Sequence, residues 1–291
     1  MNSPLKNRFQ IQIKSLMGFQ FEEFVKELFL LKYGAIDFIP TRPVRDKGCD
    51  GLIKSEGIVI ACYAPEQYDK NEFVKKADSD FEQYEKHWEN NYPKWRVIVN
   101  HELSPDQTQK VISLKGTSEL LGLSQIINIV EDLNAYQRRK LAQYLNIENE
   151  FFSQDYISEV LEDLFKDTQT SDQSVPYSKP TYIEEKVKLN YGQEDIDSAL
   201  AEYETLYEYF ILIRDLIQAY DDGEKDRIKL RIINDYQSKN GSFKDKLNQI
   251  TELYLAKYSH ENDDDYLFYI RAILLYHFEQ CLIGIKTSEG K

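Results

Sequence analysis

Apolar positions in the first half of the chain switch between helical and strand spacing. Phe21, Phe24, Val25 and Leu28 fall on one helical face, and Gly34 supplies a stop after Tyr33. Residues 36–39 are a short strand candidate, and residues 41–47, with a proline and three basic side chains, read as a loop. Residues 50–53 and 57–63 predict two strands joined by a tight turn through Ser55, Glu56 and Gly57. Residues 71–90 are polar with helical periodicity through Phe73, Phe81, Tyr84 and Trp88, and residues 95–99 (WRVIV) are the clearest buried strand. A helix over about 104–113, a strand over 126–130 and a helix over about 134–145 complete the pattern. This alternation predicts an α/β domain, a mixed sheet flanked by helices, over residues 1–150.

The pattern then changes. A helix over about 154–166 precedes residues 168–181 (DTQTSDQSVPYSKP), which hold almost no aliphatic side chain and read as a linker. Residues 151–182 are thus helix and linker, and residues 183–291 an all-α C-terminal bundle. Ile196, Leu200, Tyr203, Tyr207 and Phe210 share one helical face, which continues through Leu216, Ile217 and Tyr220 until Asp221, Asp222 and Gly223 break it. Residues 228–236 and 243–254 predict two more amphipathic helices, separated by Asn240, Gly241 and Ser242. Three aspartates, 263–265, start a last helix that carries Leu267, Ile270, Leu274, Phe278, Cys281 and Ile285.

Charge sharpens this division. The chain of 291 residues has net charge −14. Residues 1–150 hold 20 Lys+Arg against 22 Asp+Glu, net −2, whereas residues 151–291 hold 16 against 28, net −12. The acidic second half repels phosphate backbones, so any nucleic acid falls to the near-neutral first half. Three scattered cysteines and four histidines without ligand spacing argue against a disulfide framework or a structural zinc site. No apolar run approaches membrane-spanning length and residues 1–14 lack the apolar core of a signal peptide, so the expected location is the cytoplasm, with no membrane partner.

Candidate chemistry gathers in residues 18–65. Asp50 opens a strand after a glycine-containing loop, which lets its carboxylate project beyond the sheet, and Glu22 stands on the preceding helix. Asp46 comes from the same loop. A metal-dependent phosphodiesterase needs carboxylates fixed in this way to bind a cation, and a lysine beside them to orient water or steady developing charge. Each residue also has an ordinary explanation. Glu22 is one of many solvated helix carboxylates, and Asp46 and Asp50 are good turn residues beside Gly48 and Gly51.

GFQFE (18–22), DKGCDG (46–51) and a following strand resemble the restriction-endonuclease-like, or PD-(D/E)xK, superfamily, especially its type IV restriction members. Residue-by-residue matching carries over Glu22, Asp46 and Asp50. Where those enzymes have Gln and Lys on the third strand, this chain has Ala61 and Tyr63. Tyr63, Ala64, Pro65 and Glu66 are similar to a narrower group, the restriction-endonuclease-like effectors of ABC three-component anti-phage systems. Tyr276, Phe278 and Cys281 resemble the signature that closes the helical C-terminal domains of those systems. The resemblance implies a metal-dependent DNA endonuclease effector with Mg²⁺ or Mn²⁺ at Asp50, Glu22 and Asp46. It implies catalytic roles for Glu22, Asp50 and Tyr63, and as partners an ABC-type ATPase and a small middle-component protein. Ala61 cannot bind metal through its side chain, and Tyr63 carries no positive charge at neutral pH. Lys70, Lys75 and Lys76 lie downstream as substitutes on a helix face that is otherwise simply solvated. The alternative is a degenerate nuclease-fold subunit that binds a partner or nucleic acid without cutting.

Overall fold

In the computed structural model, which describes residues 1, 3–41, 47–147, 152–166, 182–258 and 264–286, the chain divides into two compact units, Met1–Phe151 and Phe152–Lys291. Among the described residues, no helix is long and apolar enough to cross a membrane.

Unit 1 runs α1 (Ser3–Ser15), α2 (Gly18–Asp37), β1 (Phe38–Pro40), β2 (Gly51–Ile53), β3 (Ile58–Tyr63), α3 (Lys70–His87), β4 (Lys94–Val99), α4 (Pro105–Leu114), β5 (Glu119–Leu121), α5 (Leu123–Glu131) and α6 (Ala135–Tyr144). The sheet order is β1-β2-β3-β4-β5. β1, β2 and β3 form an antiparallel meander, and β4 and β5 then add in parallel. Strand alternation sends Leu52, Val59, Ala61, Trp95, Val97 and Val99 into one core with Phe73, Ala77, Phe81 and Tyr84 of α3. The Phe81 and Trp95 rings meet edge to face at 5.2 Å. The opposite face of β3, from Ile58 through Ile60 to Cys62, is likewise buried, and α2 packs on β2 and β3.

Residues 126–130 are helical, not a strand. Leu123, Ile126, Ile127 and Val130 are all buried at helical spacing in α5, and the Gly122 amide donates to the Gln125 side chain at its start. A run of β-branched side chains reads as strand only when the 3–4 spacing around it is overlooked. The neighbouring strand is instead β5, three residues long. Helical dihedrals break at Gly34 (φ 75°, ψ 163°), but a further turn carries α2 to Asp37 and delays the first strand to Phe38. Helix α1, buried through Leu5, Phe9 and Ile13, joins the fold without a prior signal.

Unit 2 is all α: α7 (Phe152–Lys166), α8 (Ile183–Asn190), α9 (Ile196–Tyr207), α10 (Phe210–Gln218), α11 (Asp222–Ser238), α12 (Phe243–Leu255) and α13 (Asp264–Glu279). The face predicted to run from Ile196 to Tyr220 is two helices. The residues expected to break the pattern act as caps: Asp221 with Glu224 and Ser242 with Asp245 form capping boxes. Helix α13 buries Tyr266, Tyr269, Ile270, Ala272, Ile273, Leu274, Leu275, His277 and Phe278, so it is the hub of the bundle. It ends at Glu279. Cys281 follows in left-handed backbone (φ 56°), so Cys281 and Ile285 lie beyond the last turn. The linker at 168–181 lies outside the described residues.

Two buried ionisable groups generate predictions. Arg96 of β4 bonds Glu119 through Nε at 2.7 Å and Glu56 through Nη2 at 3.2 Å. Arg96→Met leaves Glu56 and Glu119 facing each other without their cation, at an expected cost of about 2–3 kcal/mol in urea denaturation; a change under about 0.5 kcal/mol would show the cluster to be dispensable. In unit 2, burial holds His277 down to about 4, with Nδ1 2.8 Å from the Ile273 carbonyl. A depressed imidazole leaves the unfolded chain to take up the proton first, so stability is full above about 6.5 and is lost as pH falls towards about 4. His277→Asn should flatten that acid limb, and an unchanged limb would contradict the assignment.

Candidate functional site

The candidate site forms where β2 begins and β3 and β4 finish. Two hydrogen bonds bring α2 to this edge. The Gly18 amide donates to the Ala64 carbonyl at 2.7 Å, just past β3, and Asn100 Nδ2, just past β4, donates to the Leu16 carbonyl at 2.7 Å. The first turns of α2 are therefore fixed above the strand ends, and Glu22 with them.

Asp50 is placed by an offset in the ladder. Gly51 pairs with Ile60, yet the Asp50 amide also donates to the Ile60 carbonyl at 2.8 Å, so two residues of one strand face one of the other. The Asp50 carboxylate then accepts the Cys62 amide at 2.6 Å, where a regular ladder would offer a backbone carbonyl. Gly51 is required beside it: a Cβ there would lie 2.6 Å from the Phe38 ring.

Cys62 is the β3 side chain that meets this group. Its thiol is pushed well above the ordinary range by burial first, then by the negative charges of Asp50 and Glu22 and a hydrogen bond to Asp50, with Lys26 opposing. The thiol is thus neutral, and Glu22, Lys26 and Asp50 are the charged groups gathered around it. Lys26 lies one helical turn beyond Glu22 on the same face. Its ammonium pairs with Glu23 Oε1 at 2.6 Å and sits 5.6 Å from the Phe19 ring centre, with only 11 % of its side chain exposed.

One third-strand expectation, the catalytic role of Tyr63, needs correction. Ala61 and Tyr63 alternate with Cys62 and so face α3, away from α2. Ala61 lies in the α3 core, and the Tyr63 ring packs edge to face on Phe73 at 5.4 Å. The Tyr63 hydroxyl is raised by burial and then by Tyr68, Glu72 and Asp69, which are its actual neighbours. Tyr63 is not brought to Glu22 and Asp50. Lys70, Lys75 and Lys76 also stay on α3, paired with Asp106 at 2.5 Å, Glu72 at 2.8 Å and Asp80 at 2.8 Å. Asp46 lies outside the described residues. Lys26 is not among the lysines that the sequence pattern points to, which lie downstream of the third strand; its i+4 spacing from Glu22 is the signal that marks it.

The same edge carries a neutral polar group. His101 Nε2 and Gln107 Nε2 lie 2.9 Å apart, its Nδ1 is 3.2 Å from Asn100 Oδ1, and its ring centre is 4.9 Å from that of Tyr68. Burial lowers its basicity.

Among the described residues, no group of three or more His, Cys, Asp or Glu side chains is placed to hold a metal. Glu22 and Asp50 alone still suit a hard divalent cation, because Mg²⁺ is commonly held by one or two carboxylates and keeps several waters. An ionised carboxylate offers about four lone-pair sites, and at Asp50 the Cys62 amide and thiol engage two of them. The protonated Cys62 thiol is a poor ligand for Mg²⁺. No protein-family model, curated protein or solved structure matches the chain.

The raised Cys62 thiol gives a signed prediction. An unfolded thiol ionises near 9.0 and the folded one does not, so its contribution is full below about pH 9 and is lost as pH rises. Between about pH 7.5 and about pH 10, wild type should lose more stability than Cys62→Ala. A constant difference between the two would contradict the raised thiol.

Proposed function

We propose that unit 1 is a restriction-endonuclease-like domain that cleaves DNA with a divalent cation held by Glu22 and Asp50. We further propose that the chain is a cytoplasmic effector coupled to an ABC-type ATPase and a small middle-component protein in antiviral defence. The observation that carries this reading is the convergence of Glu22, Lys26 and Asp50 on Cys62 at the end of a mixed sheet. The order helix, antiparallel β1-β2-β3, helix and parallel β4 also agrees with the scaffold that the sequence resemblance implies.

A bound cation would polarise the scissile phosphate and stabilise charge developing on it. The chain's own groups do the rest. The Cys62 amide holds the Asp50 carboxylate in place at the strand opening. Glu22 approaches from α2, whose start is tied to the Ala64 carbonyl. Lys26 supplies the positive charge that the third strand lacks, and it exchanges its contact with Glu23 for a phosphate oxygen when nucleic acid is present. The acidic unit 2 serves for docking, since its charge disfavours a phosphate backbone.

Cys62 favours a second reading. With a neutral thiol beside the carboxylates, and Ala61 and Tyr63 turned towards α3, the domain would retain the scaffold and bind a partner or nucleic acid without cutting.

Cleavage of plasmid and linear DNA with Mg²⁺ or Mn²⁺, with and without the proposed ATPase and middle-component partners, separates the two. Asp50→Asn keeps an oxygen for the Cys62 amide while removing charge, so it should remain folded and lose cleavage by at least about 100-fold. Lys26→Met should lose about 10- to 100-fold. Cleavage by Asp50→Asn at the wild-type rate would remove Asp50 from the site, and no cleavage by wild type under any of these conditions would favour the binding subunit.

A further inference from the structure

A cavity of about 580 Å³ opens within unit 2, lined by residues of α9, α12 and α13. Its volume is within the range of specific binding sites. Leu206, Leu267 and Phe268 give it an apolar wall, and Leu267 is left 40 % exposed. Among the described residues, Arg271 is the one cation that lines it, and its charge is already matched. Nε and Nη2 bond the two Glu202 oxygens at 2.7 Å each, and Nη1 bonds Asn248 Oδ1 at 3.1 Å. Two exposed carboxylates also line the cavity, Glu252 and Asp264, and neither has a hydrogen-bond or ion-pair partner among the described residues.

This combination selects an occupant by charge and shape. An anion would meet Glu252 and Asp264, with Arg271 already neutralised by Glu202. A wholly apolar occupant would desolvate two carboxylates without compensation. A long cationic side chain satisfies both halves: its methylene stem covers Leu267, its head reaches the carboxylates, and the Phe268 ring offers a cation–π face. We propose that this cavity receives a lysine or arginine side chain presented by an apolar-faced, basic segment of a partner protein. The net charge of −12 over residues 151–291 draws such a segment from a distance. Nothing in this assignment depends on the chemistry of unit 1.

The test uses the full chain and a fluorescent amphipathic peptide of leucine and lysine, with its leucine–glutamate counterpart as control, followed by anisotropy. The Leu/Lys peptide should bind saturably at one site, and the Leu/Glu peptide should not bind. Glu252→Lys combined with Asp264→Lys should weaken binding at least ~10-fold, and Leu267→Ala should weaken it several-fold. All three side chains are exposed, so the fold should survive, as circular dichroism would verify. Glu82→Lys combined with Glu85→Lys on α3 reverses the same number of charges elsewhere and should leave binding within about two-fold. Equal weakening by both double variants would overturn the proposal, because it would reduce the effect to overall charge. Spermidine binding that depends on Glu252 and Asp264, with no peptide binding, would overturn it in favour of a free polyamine.

Discussion

The carboxylate of Asp50 accepts the amide of Cys62, and the candidate site depends on that hydrogen bond. A buried strand amide must find an acceptor, and leaving it unmet costs about 1–3 kcal/mol. The ladder between β2 and β3 slips at Asp50, so the backbone cannot supply the acceptor and the side chain does. Asp50 is thereby held at the strand edge with Cys62 beside it, where Glu22 and Lys26 arrive from α2. The same interaction that completes the sheet also orients the acid, so Asp50 has a structural role whatever chemistry it performs.

Much of unit 1 was legible because its signals are local. The Phe21-Phe24-Val25-Leu28 face, the turn ending at Gly57 and the WRVIV strand each sit close to where the sequence places them, and Glu22 and Asp50 do come together. Other features depend on information that a sequence lacks. The third strand could be aligned with the nuclease pattern through Ala61 and Tyr63, but period-2 alternation, combined with the slip at Asp50, turns both towards α3 and presents Cys62 to α2. The error at 126–130 has a different origin. Five residues rich in isoleucine and valine suit a strand by propensity, and only the wider spacing from Leu123 to Val130 shows the helix. Lys26 was hidden by its ordinary appearance, because any helix lysine reads as solvated until its burial is known.

The two units manage charge differently. Unit 1 buries Arg96 between Glu56 and Glu119, and the Tyr33 hydroxyl, bonded to Glu56, is pushed up to about 12 by burial and that carboxylate. Unit 2 spends its acids on caps and surface pairs, as at Asp221 and Ser242–Asp245, and leaves others such as Glu252 and Asp264 facing a cavity. The near-neutral unit carries little net repulsion towards a phosphate backbone, whereas the acidic unit repels one.

The central claim is that Glu22 and Asp50 together form one cation site. Mn²⁺ titration followed by electron paramagnetic resonance, on wild type and on Glu22→Gln and Asp50→Asn, tests it without requiring turnover. The account predicts one bound Mn²⁺ per wild-type chain and at least about a ten-fold loss of affinity in each variant. Equal binding by wild type and both variants, or none by any of them, would contradict it.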